Sequence, residues 1–216
     1  KCISCNIGCA DHRIARSRPL RCSINPDIIH GDAYKTRRVN RETNVVVIGA
    51  GTAGMEAACT AAEVGCHTWL LEAKNHVGGL ASDIARLPEK KRIADFPQFM
   101  KNRIAALDNL MLQVGKRADV ASVSALRPHL IVNATGSTPL LPPIAGLREN
   151  IDAAEGKVFS ITGMIDNLAK FTHVEGKRIA VVGAGAVGLD VIEYFTARGA
   201  QAVLIEMQDA AGRDLD

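Results

Sequence analysis

Four of the six cysteines lie close together at the start of the chain, where their thiolates could bind a metal or a metal cluster. Cys2, Cys5, Cys9 and Cys22 are spaced C-x2-C-x3-C-x12-C, and the residues among the first three are small or apolar. Three thiolates from one short loop and a fourth from a later turn are typical of a 4Fe–4S cluster. The spacing therefore favours a cluster at these four residues.

The same cysteines allow two other interpretations. Structural zinc prefers two C-x2-C pairs, whereas Cys2 and Cys5 form one such pair here. A disulfide framework suits a small secreted domain, but the rest of the chain has the pattern of a cytosolic nucleotide-binding protein. An Asn25-Pro26 pair after Cys22 predicts a turn that holds this ligand in place. The other two cysteines fall in a periodic segment and are expected to be buried.

A glycine motif follows the cysteine segment. The β-branched run 45–48 predicts a strand covered on both faces, and G-x-G-x-x-G follows at Gly49, Gly51 and Gly54. An Ala-rich helix and a second strand lead to Glu72, 23 residues after the first glycine. The first glycine makes the turn, the second admits a pyrophosphate, the third allows close helix packing, and the acid accepts hydrogen bonds from a ribose. This order predicts an adenine-dinucleotide site.

The motif then repeats. Gly183, Gly185 and Gly188 follow a second apolar strand, and Glu206 again stands 23 residues after the first of them. Two copies predict two dinucleotide sites, although the second copy could keep the fold and bind nothing, or only a nucleotide fragment. An acid at position 206 repels a 2′-phosphate, so NADH is favoured over NADPH.

Two further segments could meet the first dinucleotide. Ala134-Thr135-Gly136 follows the predicted strand 130–133, and is either an approach to a flavin cofactor or a plain exit from a strand. Gly78-Gly79 is either a turn or a second approach to the FAD phosphates. Residues 86–92 are charged and are predicted to form a solvated loop.

The elements that must position these residues indicate an α/β protein. Apolar residues make up 47% of the 216, aromatic residues only 4%, and there are 19 glycines, a balance that suits glycine-turned α/β layers. The predicted architecture is two Rossmann-like units, the second truncated, preceded by a short cysteine segment. The predicted domains are a cluster-binding segment with its linker at 1–43, an FAD-binding domain at 44–175, and the start of an NAD(P)-binding domain at 176–216. Within the first of these, residues 34–43 are predicted to be a polar linker. The predicted strands are 45–48, 67–71, 110–114, 130–133, 178–182 and 202–205, and the predicted helices are 55–64, 97–107, 119–126 and one ending at 198.

Composition also excludes several classes of function. No apolar run reaches the roughly 18 residues that a membrane helix needs, so no membrane partner is expected. The net charge is +3 and the basic residues are scattered along the chain, so no nucleic-acid partner is expected. The six histidines are dispersed, and no catalytic triad or carboxylate pair stands out. We expect a cytoplasmic protein that could form a homo-oligomer.

Taken in order, these motifs resemble the C-terminal part of the iron–sulfur flavoenzymes that include trimethylamine dehydrogenase, 2,4-dienoyl-CoA reductase and related NADH:flavin oxidoreductases. The resemblance covers essentially the whole chain. It implies that the four clustered cysteines bind the cluster, that the first glycine motif and Glu72 bind FAD, and that the second motif and Glu206 bind the pyridine nucleotide.

The resemblance also implies a larger protein. The family's substrate chemistry takes place on FMN in an N-terminal β/α barrel that this sequence lacks, and the chain starts without Met, so we expect a fragment. Its expected role is to pass electrons from NADH through FAD and the cluster towards that FMN. Two alternatives are a zinc-stapled nucleotide-binding module and a reductase like the glutamate synthase small subunit, whose cysteine segment is longer.

Overall fold

The computed structural model describes residues 2–25, 28 and 37–213. The chain divides into two compact units, Lys1–Thr138 and Pro139–Asp216, and each is described by itself. The predicted turn at Asn25-Pro26 and the predicted polar linker 34–43 lie partly outside the described residues.

The first unit is built on a four-stranded parallel sheet. Its strands are β1 (Asn44–Ile48), β2 (His67–Leu71), β3 (Leu110–Gln113) and β4 (Leu130–Asn133), in the order β3-β2-β1-β4. The three consecutive valines of β1 are buried because both faces of this central strand are covered. The predicted α/β class with a parallel sheet is confirmed.

Helices of the first unit cover the sheet. They are α1 (Thr52–Glu63), α2 (Gly79–Ile84), a 3-10 helix (Pro88–Ala94), α3 (Asp95–Ala105) and α4 (Val120–Ala125). The buried face of α1 repeats at helical spacing and packs with β1 and α3, whereas α4 packs on the opposite face of the sheet. This packing fixes the start of α1 at the carboxyl end of β1.

Residues 86–92 differ from their predicted loop, and the cysteine segment contains a π-helix that was not predicted. Residues 86–92, predicted as a solvated loop, enter the 3-10 helix, which Pro88 opens because its fixed φ suits a first helical turn. The region between the third and fourth clustered cysteines contains most of a π-helix, Ile7–Ala15. Its hydrogen bonds run from Asp11 N–H to the Asn6 carbonyl and from Arg16 N–H to the Asp11 carbonyl, five residues apart.

The second unit has a smaller sheet. Strands β5 (Arg178–Val182) and β6 (Gln201–Ile205) are parallel and are joined by α7 (Ala186–Thr196), so their connectivity repeats that of β1, α1 and β2. Two short helices, α5 (Leu147–Asn150) and α6 (Ile161–Asp166), precede them. No helix in the described part of the chain is long and apolar enough to cross a lipid bilayer.

Candidate functional site

The first glycine loop joins β1 to α1. Gly49 has a φ of +99°, donates its N–H to the Leu71 carbonyl at 2.7 Å, and has no room for a Cβ because the Ala134 carbonyl lies against it. A Cβ at Gly54 would overlap the Gly49 carbonyl. Gly51 differs, because its φ of −72° is ordinary and a Cβ there would meet nothing within 4 Å. The fold itself therefore requires glycine at 49 and 54, but not at 51.

Glu72 connects the end of β2 to this loop. Its Oε2 accepts the N–H of Ala50 at 2.7 Å, and its Oε1 accepts the N–H of Lys74 at 2.8 Å. We call this arrangement, a carboxylate that binds the backbone N–H of the loop's second residue, the carboxylate clasp. The sequence motif predicted that Glu72 binds a ribose, but it did not predict the hydrogen bonds of Glu72 to the glycine loop.

The Gly78-Gly79 segment returns to the same loop. Gly78 donates its N–H to the Ala50 carbonyl at 2.8 Å, and an ideal Cβ on Gly79 would lie 2.9 Å from the Gly51 Cα. The structure thus brings Gly79 directly beside Gly51, at the point where the glycine loop faces open space.

Ala134-Thr135-Gly136 lies on the other side of the loop. The Ala134 N–H donates to the Ile48 carbonyl at 2.8 Å, which continues the β4 pairing up to Gly49. The Asn133 Oδ1 accepts both the N–H and the hydroxyl of Thr135, at 3.3 and 2.9 Å. Gly136 has a φ of +82° and is exposed with Thr135. Backbone from three separate segments therefore surrounds the first glycine loop.

The second glycine loop repeats the backbone angles and hydrogen bonds of the first, although a Cβ on Gly183, unlike one on Gly49, would meet nothing within 4 Å. Gly183 has a φ of +98° and donates its N–H to the Ile205 carbonyl at 2.8 Å, and a Cβ at Gly188 would overlap the Gly183 carbonyl. Gly185 has φ and ψ of −74° and −176°, close to the −72° and −172° of Gly51. The repeated sequence motif is therefore also a repeated backbone geometry.

Glu206 forms the same carboxylate clasp in the second unit. Its Oε2 accepts the Ala184 N–H at 2.6 Å, and its Oε1 accepts the N–H groups of Met207 and Gln208 at 2.7 and 2.9 Å. The backbone N–H groups, that of Gln208 first, lower the pKa of the Glu206 carboxyl. The carboxylate at the end of β6 is therefore negatively charged at neutral pH.

Gly8 brings two parts of the cysteine segment into contact. The Arg21 N–H donates to the Gly8 carbonyl at 2.7 Å, and an ideal Cβ on Gly8 would lie 2.6 Å from the Arg21 carbonyl oxygen. The backbone next to Cys22 consequently lies against the segment that holds the first three cysteines, of which Cys9 belongs to the π-helix. The Cys5 Sγ and the Ser23 Oγ lie 3.4 Å apart, and a hydrogen bond from the Ser23 hydroxyl to the thiolate lowers the pKa of Cys5.

In the described part of the chain, the four clustered thiols do not form a metal site. Cys2, Cys5, Cys9 and Cys22 are free thiols, either exposed or half-buried. Within residues 2–25, 28 and 37–213, no three His, Cys, Asp or Glu side chains converge to hold one metal ion.

A cavity of about 450 Å³ lies between the cysteine segment and the glycine loop's helix. One wall is formed by Cys22, Ser23 and Ile24, and another by Thr52 and Glu56 of α1. The cavity therefore connects a clustered cysteine to the helix that begins at the glycine loop. The sequence alone did not show that these two segments meet.

Family models match both parts of the chain. Residues 44–118 match the FAD dependent oxidoreductase family, and residues 98–216, more than half of the chain, match the pyridine nucleotide-disulphide oxidoreductase family. The chain belongs to the pyridine nucleotide-disulphide oxidoreductase family. This membership places it among the oxidoreductases and supports FAD and NAD(H) as its cofactors.

Relatives of this family match the chain along its whole length. An NADH oxidase of Thermoanaerobacter brockii is 33% identical over 218 residues, which cover 100% of this chain and 32% of the relative. A bilirubin reductase of Mediterraneibacter gnavus is 27% identical and covers 99% of this chain and 31% of its own length. The chain therefore spans about a third of the curated relatives that it matches.

Solved structures show the same fold. A 2-naphthoyl-CoA reductase complex has a TM-score of 0.80 at 23% identity, covering 100% of this chain and 31% of its own. Histamine dehydrogenase from Rhizobium sp. 4-9 has a TM-score of 0.78 at 21% identity, covering 97% and 31%. These structures confirm, at the level of the fold, the resemblance drawn from the sequence motifs.

Proposed function

We propose that the chain is the electron-transfer part of an NAD(P)H-dependent iron–sulfur flavin oxidoreductase. In this role it takes electrons from NADH through FAD to a 4Fe–4S cluster and passes them to FMN in a barrel domain outside the present sequence. The observation that carries the proposal is the cavity that has Cys22 on one wall and the start of α1 on another. The one-third coverage of the relatives supports a further domain.

The first glycine loop is suited to hold the FAD pyrophosphate. The open space at Gly51 admits a phosphate next to the backbone, and the start of α1 offers unpaired N–H groups and a positive helix end. Gly79 and Ala134-Thr135-Gly136 lie around the same loop and would bring further backbone to the cofactor. Glu72 would accept hydrogen bonds from the ribose while it holds the loop.

The second glycine loop is suited to hold NADH. Gly183, Gly185 and Gly188 have the same backbone arrangement as the first loop, and Glu206 stands at the end of β6. The charge of this carboxylate opposes the 2′-phosphate of NADPH, so we infer a preference for NADH.

The four clustered cysteines would hold the 4Fe–4S cluster. Their thiolates lie on two backbone segments that Gly8 brings together, which is what a cluster bound from one loop and one later turn requires. When bound, FAD supplies the exchange of a hydride for single electrons, and the cluster accepts those electrons one at a time. The protein contributes binding, orientation and exclusion of water.

The test uses the full-length protein, purified without oxygen. We expect this part of the protein to bind about one FAD, four iron atoms and four acid-labile sulfides per chain. The Cys22→Ser variant described below distinguishes this iron from iron bound elsewhere in the full-length protein. NADH should bleach the flavin absorbance faster than NADPH does. A colourless protein after anaerobic reconstitution with iron, sulfide and FAD would overturn the proposal. One zinc per chain without sulfide would instead support the nucleotide-binding module.

A further inference from the structure

Glu56 supplies a carboxylate to the cavity between the cysteine segment and α1. Among the described residues that line this cavity, Glu56 is the one with a charged side chain. It follows Thr52 by four residues, so the two side chains lie on one face of α1, one turn apart. A negative charge therefore stands one helical turn from the proposed pyrophosphate position, and it shares the cavity with Cys22.

Arg103 of α3 fixes the Glu56 carboxylate. Its Nη1 donates to the Glu56 Oε2 at 2.8 Å, while its Nε and Nη2 each donate to the Glu63 carboxylate at 2.6 Å. The Thr60 hydroxyl adds a contact of 3.3 Å to the Glu56 Oε1. Because the Arg103 side chain is only 21% exposed, the ion pair is partly shielded from solvent.

We propose that Glu56 is a positioning residue that lowers the reduction potential of the redox group bound at this cavity. The inference rests on the proposed function. Arg103 compensates one of the two carboxylates that it binds, so the group of Glu56, Arg103 and Glu63 keeps a net negative charge, with Glu56 at the cavity wall. In a partly apolar cavity this charge opposes the addition of an electron to a neighbouring flavin or cluster more strongly than it would in water. The charge thereby favours release of electrons towards the next acceptor over their retention.

The test is Glu56→Gln in the full-length holoprotein, with midpoint potentials of the flavin and the cluster measured in one anaerobic redox titration. We expect at least one of the two potentials to become more positive. A tenfold change in the equilibrium constant for reduction corresponds to about 30 mV for a two-electron couple and about 59 mV for a one-electron couple. FAD and iron content are measured in parallel.

Glu63→Gln is the matched control, because it removes a charge from the same ion-pair network without altering the cavity wall. Glu63 lies seven residues beyond Glu56, about 10 Å along the helix, and it makes two of the contacts to Arg103. We expect it to lower stability at least as much as Glu56→Gln and, because Glu63 lies farther from the cavity, to shift both potentials by less than Glu56→Gln does.

The outcomes separate this inference from the proposed function. A positive shift that is larger in Glu56→Gln than in Glu63→Gln supports the role of Glu56. No shift at either centre, a negative shift, or an equal shift in both variants overturns that role while the cofactors remain in place. A wild-type protein without FAD and iron overturns the proposed function and this inference together.

Discussion

Gly51 is the residue at which the first glycine loop can be tested without disturbing the fold. Its backbone angles suit any residue, and a side chain would project into open space. We expect Gly51→Val to change the free energy of unfolding of the cofactor-free protein by less than about 1 kcal/mol. The branched side chain would occupy the proposed pyrophosphate position, so FAD should be lost on purification, as measured by flavin released per chain.

Gly54→Ala provides the contrast. A Cβ there would overlap the Gly49 carbonyl, so the variant should destabilise the fold by about 1–3 kcal/mol or more, whether or not FAD is bound. Flavin content that stays at the wild-type level in Gly51→Val would refute the assignment of the first site.

The six cysteines should separate into two classes of thiol. Burial raises the pKa of Cys59 to about 11 and also raises that of Cys66, whereas the other four are exposed or half-buried. Because the thiolate is the reactive form, we expect four thiols of the iron-free protein to react rapidly with a disulfide reagent at pH 8. The remaining two should react only after denaturant is added, and six rapid reactions would contradict the packing of α1.

At the scale of elements, the strands are the part of the fold that the sequence predicts best. Runs of β-branched and apolar residues place β1, β2 and β4 within one residue of their observed bounds. Helix starts are predicted less well, since α1 begins at Thr52 and not at residue 55. The glycine motif itself supplies its first turn, and glycines give little helical signal.

Elements and contacts that depend on distant partners could not be predicted. The short helix α6 is capped by Ser160, which is itself held by Asp152, eight residues earlier. The π-helix has no distinctive sequence pattern. The bonds of Glu72 and Glu206 to the glycine loops link residues 22 apart, and their geometry exists only once the strands are paired.

Asn109, which precedes β3, contacts the end of α1, and its substitution tests the packing between these two elements. Its side-chain amide donates to the carbonyls of Ala62 and Cys66, each at 2.8 Å, and so satisfies groups at the end of α1. We expect Asn109→Ala to lower the free energy of unfolding by about 1–3 kcal/mol, because it removes two part-buried hydrogen bonds. The measurement is urea unfolding of the cofactor-free protein.

The matched control for this substitution is Asn102→Ala. Asn102 accepts a hydrogen bond from Gln98 on the exposed surface of α3, so its loss should cost less than about 0.5 kcal/mol. Equal losses in the two variants would show that Asn109 does not hold the end of α1.

At the scale of the whole molecule, substitution of Cys22 is expected to interrupt the proposed electron transfer. We expect Cys22→Ser in the full-length protein to lose iron and acid-labile sulfide and to keep FAD, because the glycine loop and its clasp are formed by other segments. NADH should still bleach the flavin, while electron delivery beyond it should fall by more than tenfold.

Ser23→Ala is the control for that variant. It removes the hydroxyl next to Cys5 but leaves all four clustered thiols, so iron and sulfide should remain at the wild-type level. Loss of FAD together with iron in Cys22→Ser would show that the flavin is not held independently of the cysteine segment.

The two carboxylate clasps differ in the number of hydrogen-bond acceptor sites that they leave for a ligand. A carboxylate has about four lone-pair sites. Within the described chain, Glu72 accepts two backbone N–H groups and Glu206 accepts three. Under the proposed assignment of FAD to the first loop and NADH to the second, two acceptor sites remain for ribose hydroxyls at the first loop and one at the second. This inequality matches the different demands on a prosthetic group that stays through turnover and a co-substrate that must leave after each hydride.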